Sequence, residues 1–178
     1  MRLEIPVKRH IDFIDKRIVV KQFIKRAPTQ SKTIVLLDLE TNQEGDLLVF
    51  YKRFIEKCLE TDRFFFWIRT TTPQLLPFHP ACSYLEEGMD KCDLILLVQA
   101  ADIVVGHPGY CDHLASLTRT PCMILVTDKQ RRTQWIGGYL GPYLSVFLLK
   151  SVDFATTNSI QFQADQCFLA VSELLYDI

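Results

Sequence analysis

The sequence predicts an α/β fold, a single Rossmann-like domain with a mostly parallel sheet and helices on both faces. Two observations lead to this prediction. Apolar runs of strand length alternate with segments whose apolar residues recur at helical spacing. The strand runs are apolar almost throughout, which is typical of parallel strands buried on both faces. A chain of 178 residues, 48% of them hydrophobic, is long enough to bury one core of this kind.

The first half of the domain is predicted to be a β-α-β unit followed by a loop. "TIVLLDLE" (33–40) is a strand, residues 44–62 place their apolar side chains along one helical stripe, and "RFFFWIRT" (63–70) is a second strand. Residues 70–80 contain three prolines and no periodicity. We therefore expect a surface loop there, and long irregular loops in small domains often carry function.

The second half continues the alternation. We expect a short strand within "SYLEEG" (83–88), and a helix over residues 89–100 that turns Leu94 and Leu97 toward the core. The remaining elements are predicted in this order: a strand at 102–106, a helix at 110–118, a strand at 121–127, a glycine-rich loop at 136–142, a strand at 143–149 and a closing helix near 161–176.

Positive charge is concentrated before the regular part begins. Residues 1–32 hold nine Lys or Arg and three acidic residues, a net charge of +6, whereas the whole chain carries −1. We divide the chain into this basic N-terminal extension and a Rossmann-like nucleotide-binding domain, residues 33–178. Within the extension, residues 11–26 fit a basic amphipathic helix that docks on a partner subunit or makes peripheral contact with an anionic membrane. A helix packed on its own domain fits the same pattern.

Composition excludes several classes of protein. The small net charge gives no general attraction to nucleic acid, so no nucleic-acid partner is expected. The six cysteines form no Cys-x-x-Cys pair and several lie in apolar runs, which predicts reduced core thiols. No apolar stretch reaches the ~20 residues that span a bilayer, and the sequence does not begin with a secretory signal. We therefore expect a cytoplasmic protein.

Residues 101–128, "ADIVVGHPGYCDHLASLTRTPCMILVTD", are predicted to form a strand, a turn, a helix and a second strand. The His-Pro-Gly turn at 107–109 follows the carboxyl end of the first strand, where open α/β sheets bind their ligands. We expect Gly106 and Gly109 to supply the permissive φ that a sharp turn needs. The helix begins near Tyr110, and its free N–H groups favour a phosphate or another anion.

Polar side chains of this turn are candidates for ligand contacts. His107 is placed to donate to a phosphate oxygen and His113 lies one turn into the helix, although both also fit purely structural roles. Cys111 between them raises a metal site, which we reject because zinc needs three or four correctly spaced ligands. Asp112 suits the positive end of the helix dipole but would repel a diphosphate if it pointed inward. A sugar hydroxyl or a base would then be held there.

The stretch "ADIVVGHPG" resembles the "ADLVISHAG" pattern of GT-B N-acetylglucosaminyltransferases, in the half that binds a UDP-sugar donor. The downstream "HLASLTRTP" is similar to the "HLAAALGTP" of heptosyltransferases. The resemblance implies that His107 and Gly109 contact the donor diphosphate, that His113 is the heptosyltransferase-like histidine, and that Thr133-Gln134 touches the donor sugar. The ligand-binding residues predicted in this way are Gly106, His107, Gly109, Tyr110, His113, Thr133 and Gln134.

The function implied is that of a nucleotide-sugar donor-binding domain of a glycosyltransferase, working without a metal or another cofactor. The resemblance covers about residues 33–150, which correspond to one half of a GT-B enzyme. A separate acceptor-binding partner subunit or a homo-oligomer is therefore expected. The glutamate that holds the ribose in the UDP-sugar enzymes is replaced by Ala115, which leaves the base and the sugar of the donor open.

A second resemblance leads to a different activity. "DLILLVQAADIVV" resembles the helix and strand that precede the active site of nucleoside 2-deoxyribosyltransferases. It implies an enzyme that cleaves an N-glycosidic bond, with Asp112, beside the position of that family's glutamate, as the nucleophile. A nucleotide-binding or interaction module without catalysis is the third interpretation, and the scarcity of carboxylates near the turn fits it.

Overall fold

Strands and helices alternate through the part of the chain that the computed structural model describes, residues 32–39, 45–71, 73–85, 89, 91–127, 144–150 and 156–176. In chain order the elements there are β1 (Thr33–Asp38), α1 (Gly45–Leu59), β2 (Phe64–Arg69), a short 3-10 turn (Pro73–Leu75), β3 (Cys82–Tyr84), α2 (Lys91–Ala100), β4 (Ile103–Gly106), α3 (Tyr110–Thr118), β5 (Cys122–Thr127), β6 (Leu144–Leu149) and α4 (Thr157–Tyr176).

The six strands form one sheet in the order β3-β2-β1-β4-β5-β6. Every neighbouring pair is parallel, so the sheet is parallel throughout rather than mostly so. The prediction of a Rossmann-like α/β fold is confirmed. The strand order reverses its direction between β1 and β4, and open sheets of this order form a ligand crevice outside the carboxyl ends of those two strands. Asp38 and Gly106 are register partners at that point.

The core has two parts, one on each face of the sheet. In β1, Val35 and Leu37 pack with residues of α1 and α4, whereas Ile34 and Leu36 pack with residues of α2 and α3. This division follows from strand geometry, because successive side chains point to opposite faces. Helices therefore cover both faces, which explains why the strands are apolar almost throughout.

Polar groups tie β4 to β1 where the two strands begin. The Asp102 carboxylate accepts a hydrogen bond from the Ile34 N–H at 2.8 Å, and the Asp102 N–H donates to the Ile34 carbonyl at 2.9 Å. All six cysteines are free, and all except Cys92 are buried. Burial raises the pKa of the five buried thiols, for example that of Cys82 to about 12. The prediction of core thiols is thus right for five of the six.

The element boundaries differ most from the predicted ones at two places. The strand expected at 83–88 is limited to Cys82–Tyr84, and the closing helix begins at Thr157 instead of near 161. The early start has a local cause, because the Thr156 hydroxyl accepts a hydrogen bond from the Ser159 N–H at 3.2 Å and so caps the helix.

Several sequence predictions lie outside the described residues. These are the amphipathic helix at 11–26, the rest of the basic extension up to residue 31, and the glycine-rich loop at 136–142. Among the helices that the structure describes, none combines the length and the apolar character needed to cross a bilayer.

Candidate functional site at the carboxyl end of the sheet

Gly106 ends β4 where that strand comes very close to β1. A Cβ atom at this position would lie 2.8 Å from the backbone oxygen of Asp38 and 3.1 Å from its Cβ, so only glycine fits. Gly109 has φ −178°, an extended backbone that any residue adopts, and a Cβ there would meet only the His107 carbonyl oxygen at 3.8 Å. The prediction that both glycines supply a permissive φ is wrong, since neither adopts a left-handed conformation. Close strand approach is what requires Gly106.

His107 is the first residue beyond β4, and its side chain is buried, with 7% of the residue exposed. Its Nδ1 lies 2.8 Å from the carbonyl oxygen of Leu125 in β5. Because a carbonyl oxygen only accepts hydrogen bonds, Nδ1 carries a proton and donates it. The imidazole also packs edge to face on Tyr51 of α1, with the ring centroids 5.7 Å apart. The second ring nitrogen, Nε2, is buried and has no hydrogen-bond partner among the residues that the structure describes.

The protonation state of His107 follows from these surroundings. Burial lowers the pKa of the imidazole, and this outweighs the hydrogen bond to Leu125 and the negative charge of Asp38, both of which raise it. The ring is therefore uncharged at neutral pH, with its proton on Nδ1 and a lone pair on Nε2.

The N-terminus of α3 already holds a carboxylate from its own first turn. Oδ1 of Asp112 accepts hydrogen bonds from the N–H groups of Gly109, at 3.1 Å, and His113, at 2.8 Å. Asp112 is buried. Burial raises the pKa of this carboxyl, and the backbone hydrogen bonds from Gly109 and His113 oppose that shift. The Asp112 side chain therefore turns back onto the N-terminal end of its own helix.

Tyr110 and His113 lie on the solvent-exposed side of the first turn of α3. Both are exposed, and the Lys91 ammonium lies 5.7 Å from the centre of the Tyr110 ring. Five of the seven predicted ligand-binding residues thus come together at the junction of β4 and α3, and the other two lie outside the described residues. The five are Gly106, His107, Gly109, Tyr110 and His113, and the two are Thr133 and Gln134.

Sequence reasoning missed a charged pair at the same edge of the sheet. Asp38 ends β1 and Arg69 ends β2, and Nη1 of Arg69 lies 3.2 and 3.5 Å from the two carboxylate oxygens of Asp38. Asp38 also affects the thiol of Cys111. Burial has the largest effect and raises the pKa of this thiol well above its usual range, and the negative charge of Asp38 and a hydrogen bond to its carboxylate act in the same direction. The sequence does carry a signal for the pair, since each of two apolar strands ends in a charged residue.

These groups are chemically suited to holding a polar ligand. A thiol with so high a pKa stays protonated, so Cys111 is not a thiolate nucleophile. Within the part of the chain that the structure describes, no three His, Cys, Asp or Glu side chains are grouped so as to hold a metal ion. The Asp38–Arg69 pair and the neutral His107 ring instead offer hydrogen-bonding groups around the reversal of the strand order.

A cavity of about 250 Å³ lies at the opposite edge of the sheet. Its lining residues include Thr33, Phe64 and Asp102, which stand where β1, β2 and β4 begin. The Arg63 guanidinium stacks over the Tyr176 ring there, 5.2 Å from its centre. Because ligands of open parallel sheets bind beyond the carboxyl ends of the strands, we assign the candidate site to the other edge, at the turn after β4.

Two solved glycosyltransferases resemble this fold. The glycosyltransferase SnogD from Streptomyces nogalater matches with a TM-score of 0.45 and 12% identity over 83% of this chain. The glycotransferase of kitacinnamycin matches with a TM-score of 0.46 and 13% identity over 85% of this chain. The chain spans 41% and 39% of the length of these two proteins. No protein-family model and no curated protein matches the sequence.

Proposed function

We propose that this chain is the nucleotide-sugar donor-binding domain of a glycosyltransferase, and that it binds the donor at the carboxyl edge of the sheet between β1 and β4. The observation that carries the proposal is the position of the His-Pro-Gly turn at 107–109. It directly follows β4 at the point where the strand order of a β3-β2-β1-β4-β5-β6 sheet reverses. Nucleotides bind at this point in sheets with that order.

Local geometry supports a ligand beside this turn. The absence of a side chain at Gly106 lets the ends of β1 and β4 approach closely, so that groups from both strands lie together at the carboxyl edge of the sheet. Tyr110 and His113 are exposed on the first turn of α3, next to the same strand end. The sequence resemblance of "ADIVVGHPG" to the donor turn of GT-B enzymes falls on these residues.

A partner that binds the acceptor is part of the proposal. The resemblance implies only the donor half of a GT-B enzyme, so a second subunit or a further copy of the chain would supply the acceptor site. The basic residues 11–26 are proposed as the docking element, and peripheral contact with an anionic membrane is the alternative. Hydrogen exchange in the isolated chain tests the docking role. We expect faster exchange at 11–26 than in β1, and equal protection would show that the segment is part of the domain.

Calorimetric titration of the full chain tests the donor site. UDP, GDP, ADP and the corresponding nucleotide sugars are titrated without added metal, and one of these pairs should bind with 1:1 stoichiometry. Tyr110→Ala should weaken that binding by about threefold to tenfold, because it removes an exposed aromatic ring beside the turn. Leu117→Ala is the control, since Leu117 is also an exposed apolar side chain but lies at the other end of α3. The absence of binding to every nucleotide would refute the proposal.

A further inference from the structure

We infer that His107 recognises a hydroxyl group of the nucleotide-sugar ligand, with Nε2 as the hydrogen-bond acceptor, and does not donate to the phosphates. The inference rests on the proposed function and names the ligand group that this residue contacts. It differs from the role that the sequence resemblance implies for the same histidine, which is contact with the donor diphosphate.

The neutral imidazole of His107 has a single N–H proton to donate. Nδ1 of His107 lies 2.8 Å from the carbonyl oxygen of Leu125, an atom that can only accept. The proton of the neutral ring is therefore committed to β5. The other ring nitrogen is the buried Nε2, which in this tautomer has a lone pair and no proton.

The His107 ring also stays neutral. It is buried, with its ring perpendicular to that of Tyr51 in α1, and burial lowers its pKa. Asp38 at the end of β1 is the charged group that acts against this shift, and the hydrogen bond to Leu125 does so as well. A neutral acceptor nitrogen repels the lone pairs of a phosphate oxygen, whereas a sugar hydroxyl brings the hydrogen that this nitrogen lacks.

The N-terminal end of α3, which would otherwise attract a phosphate, is already occupied by a carboxylate. Asp112 already accepts hydrogen bonds from the N–H groups of Gly109 and His113, and its negative charge lies at the positive end of the α3 dipole. A diphosphate at this turn would meet a like charge. Nε2 of His107 is meanwhile a buried acceptor without a hydrogen-bond partner in the described part of the chain, and buried polar groups are rarely left so. A ligand hydroxyl satisfies this acceptor without adding charge.

The variant His107→Asn separates the two nitrogens of the ring. The asparagine amide can still donate to the Leu125 carbonyl, in the place of Nδ1, but nothing replaces Nε2. We would measure its affinity for pyrophosphate, UDP and UDP-N-acetylglucosamine, or for the GDP or ADP counterparts if those are the nucleotides that bind. His79→Asn is the matched control, because His79 is exposed and its ring accepts from the Ala81 N–H, which an asparagine oxygen can also do.

We expect His107→Asn to leave pyrophosphate affinity unchanged and to weaken nucleotide binding by about threefold to tenfold, the value of one hydrogen bond. A loss seen already with UDP assigns the hydroxyl to the ribose, and a loss seen only with UDP-N-acetylglucosamine assigns it to the donor sugar. In the wild-type complex at pH 7.5, nitrogen-detected NMR should show His107 neutral, with Nε2 unprotonated.

Three results would overturn the inference while the proposed function stands. These are equal weakening of pyrophosphate and nucleotide binding by His107→Asn, unchanged nucleotide binding in that variant, and a protonated His107 ring in the complex. Wild-type protein that binds none of the nucleotides would instead refute the proposed function, and the inference would fall with it.

Discussion

Gly106 is fixed by its contact with a strand far away in the sequence. A methyl group at this position would stand 2.8 Å from a backbone oxygen of Asp38, and backbone atoms of a central strand have little freedom to move. We expect Gly106→Ala to lower the free energy of unfolding by about 1–3 kcal/mol. Gly109→Ala should lower it by less than about 1 kcal/mol, since its Cβ would have ordinary contacts. Urea unfolding measures both values, and equal losses would contradict the assigned role of Gly106.

His107 should make the fold sensitive to mild acid. Burial lowers its pKa in the folded state, so the unfolded chain takes up the proton first when the pH drops. This contribution to stability is fully present above a pH of about 6.5, the ordinary imidazole pKa, and is lost as the pH falls toward the folded-state pKa. The free energy of unfolding should therefore decrease more between pH 7.5 and pH 5.5 in the wild type than in His107→Asn. Parallel pH profiles of the two proteins would show that the imidazole is not buried as described.

At the scale of one element, Asp112 caps α3 with its own carboxylate. Asp112→Ala removes the acceptor for two backbone N–H groups and should lower the free energy of unfolding by about 1 kcal/mol. Asp112→Asn keeps an acceptor oxygen. It also removes a charge whose burial is unfavourable, as the raised pKa of this carboxyl indicates. We expect its stability at pH 7 to equal or exceed that of the wild type in thermal or urea unfolding.

The same pair of variants tests Asp112 as a nucleophile, the role implied by the resemblance to nucleoside 2-deoxyribosyltransferases. If Asp112 only caps the helix, neither the wild type nor Asp112→Asn releases base from deoxynucleosides. Base release by the wild type that disappears in Asp112→Asn would replace the donor-binding proposal with that activity. Loss of stability in Asp112→Asn as large as in Asp112→Ala would contradict the capping role of the carboxylate oxygen.

The elements themselves could be predicted because their signals are local. The helix over 110–118 was expected from spacing and lies at Tyr110–Thr118, and the strand before it ends at Gly106 as predicted. The contacts of the site could not be predicted in the same way. Arg69 meets Asp38 only because β1 and β2 pair in parallel register, and His107 reaches Leu125 only across the pair β4–β5. The sequence near those residues does not predict which strands pair or in what register.

On the scale of the whole molecule, the parallel sheet gives the protein two chemically distinct edges. The carboxyl edge carries the His-Pro-Gly turn, the Asp38–Arg69 pair and the capped end of α3. The amino edge carries the cavity of about 250 Å³ beside Arg63 and Tyr176. A ligand bound at the carboxyl edge lies over the reversal of the strand order, where residues from both halves of the sheet can contact it. The proposed function depends on which edge binds the nucleotide.

Amide NMR of the isotopically labelled full chain measures this directly, with UDP, GDP or ADP added in increasing amounts. We predict the largest chemical-shift changes at Leu39 and at residues 106–111, where β1 and β4 end and α3 begins. Residues of the amino-edge cavity, such as Thr33 and Phe64, serve as the internal control and should change little. Changes confined to the cavity residues, with the turn after β4 unaffected at saturating nucleotide, would contradict the account.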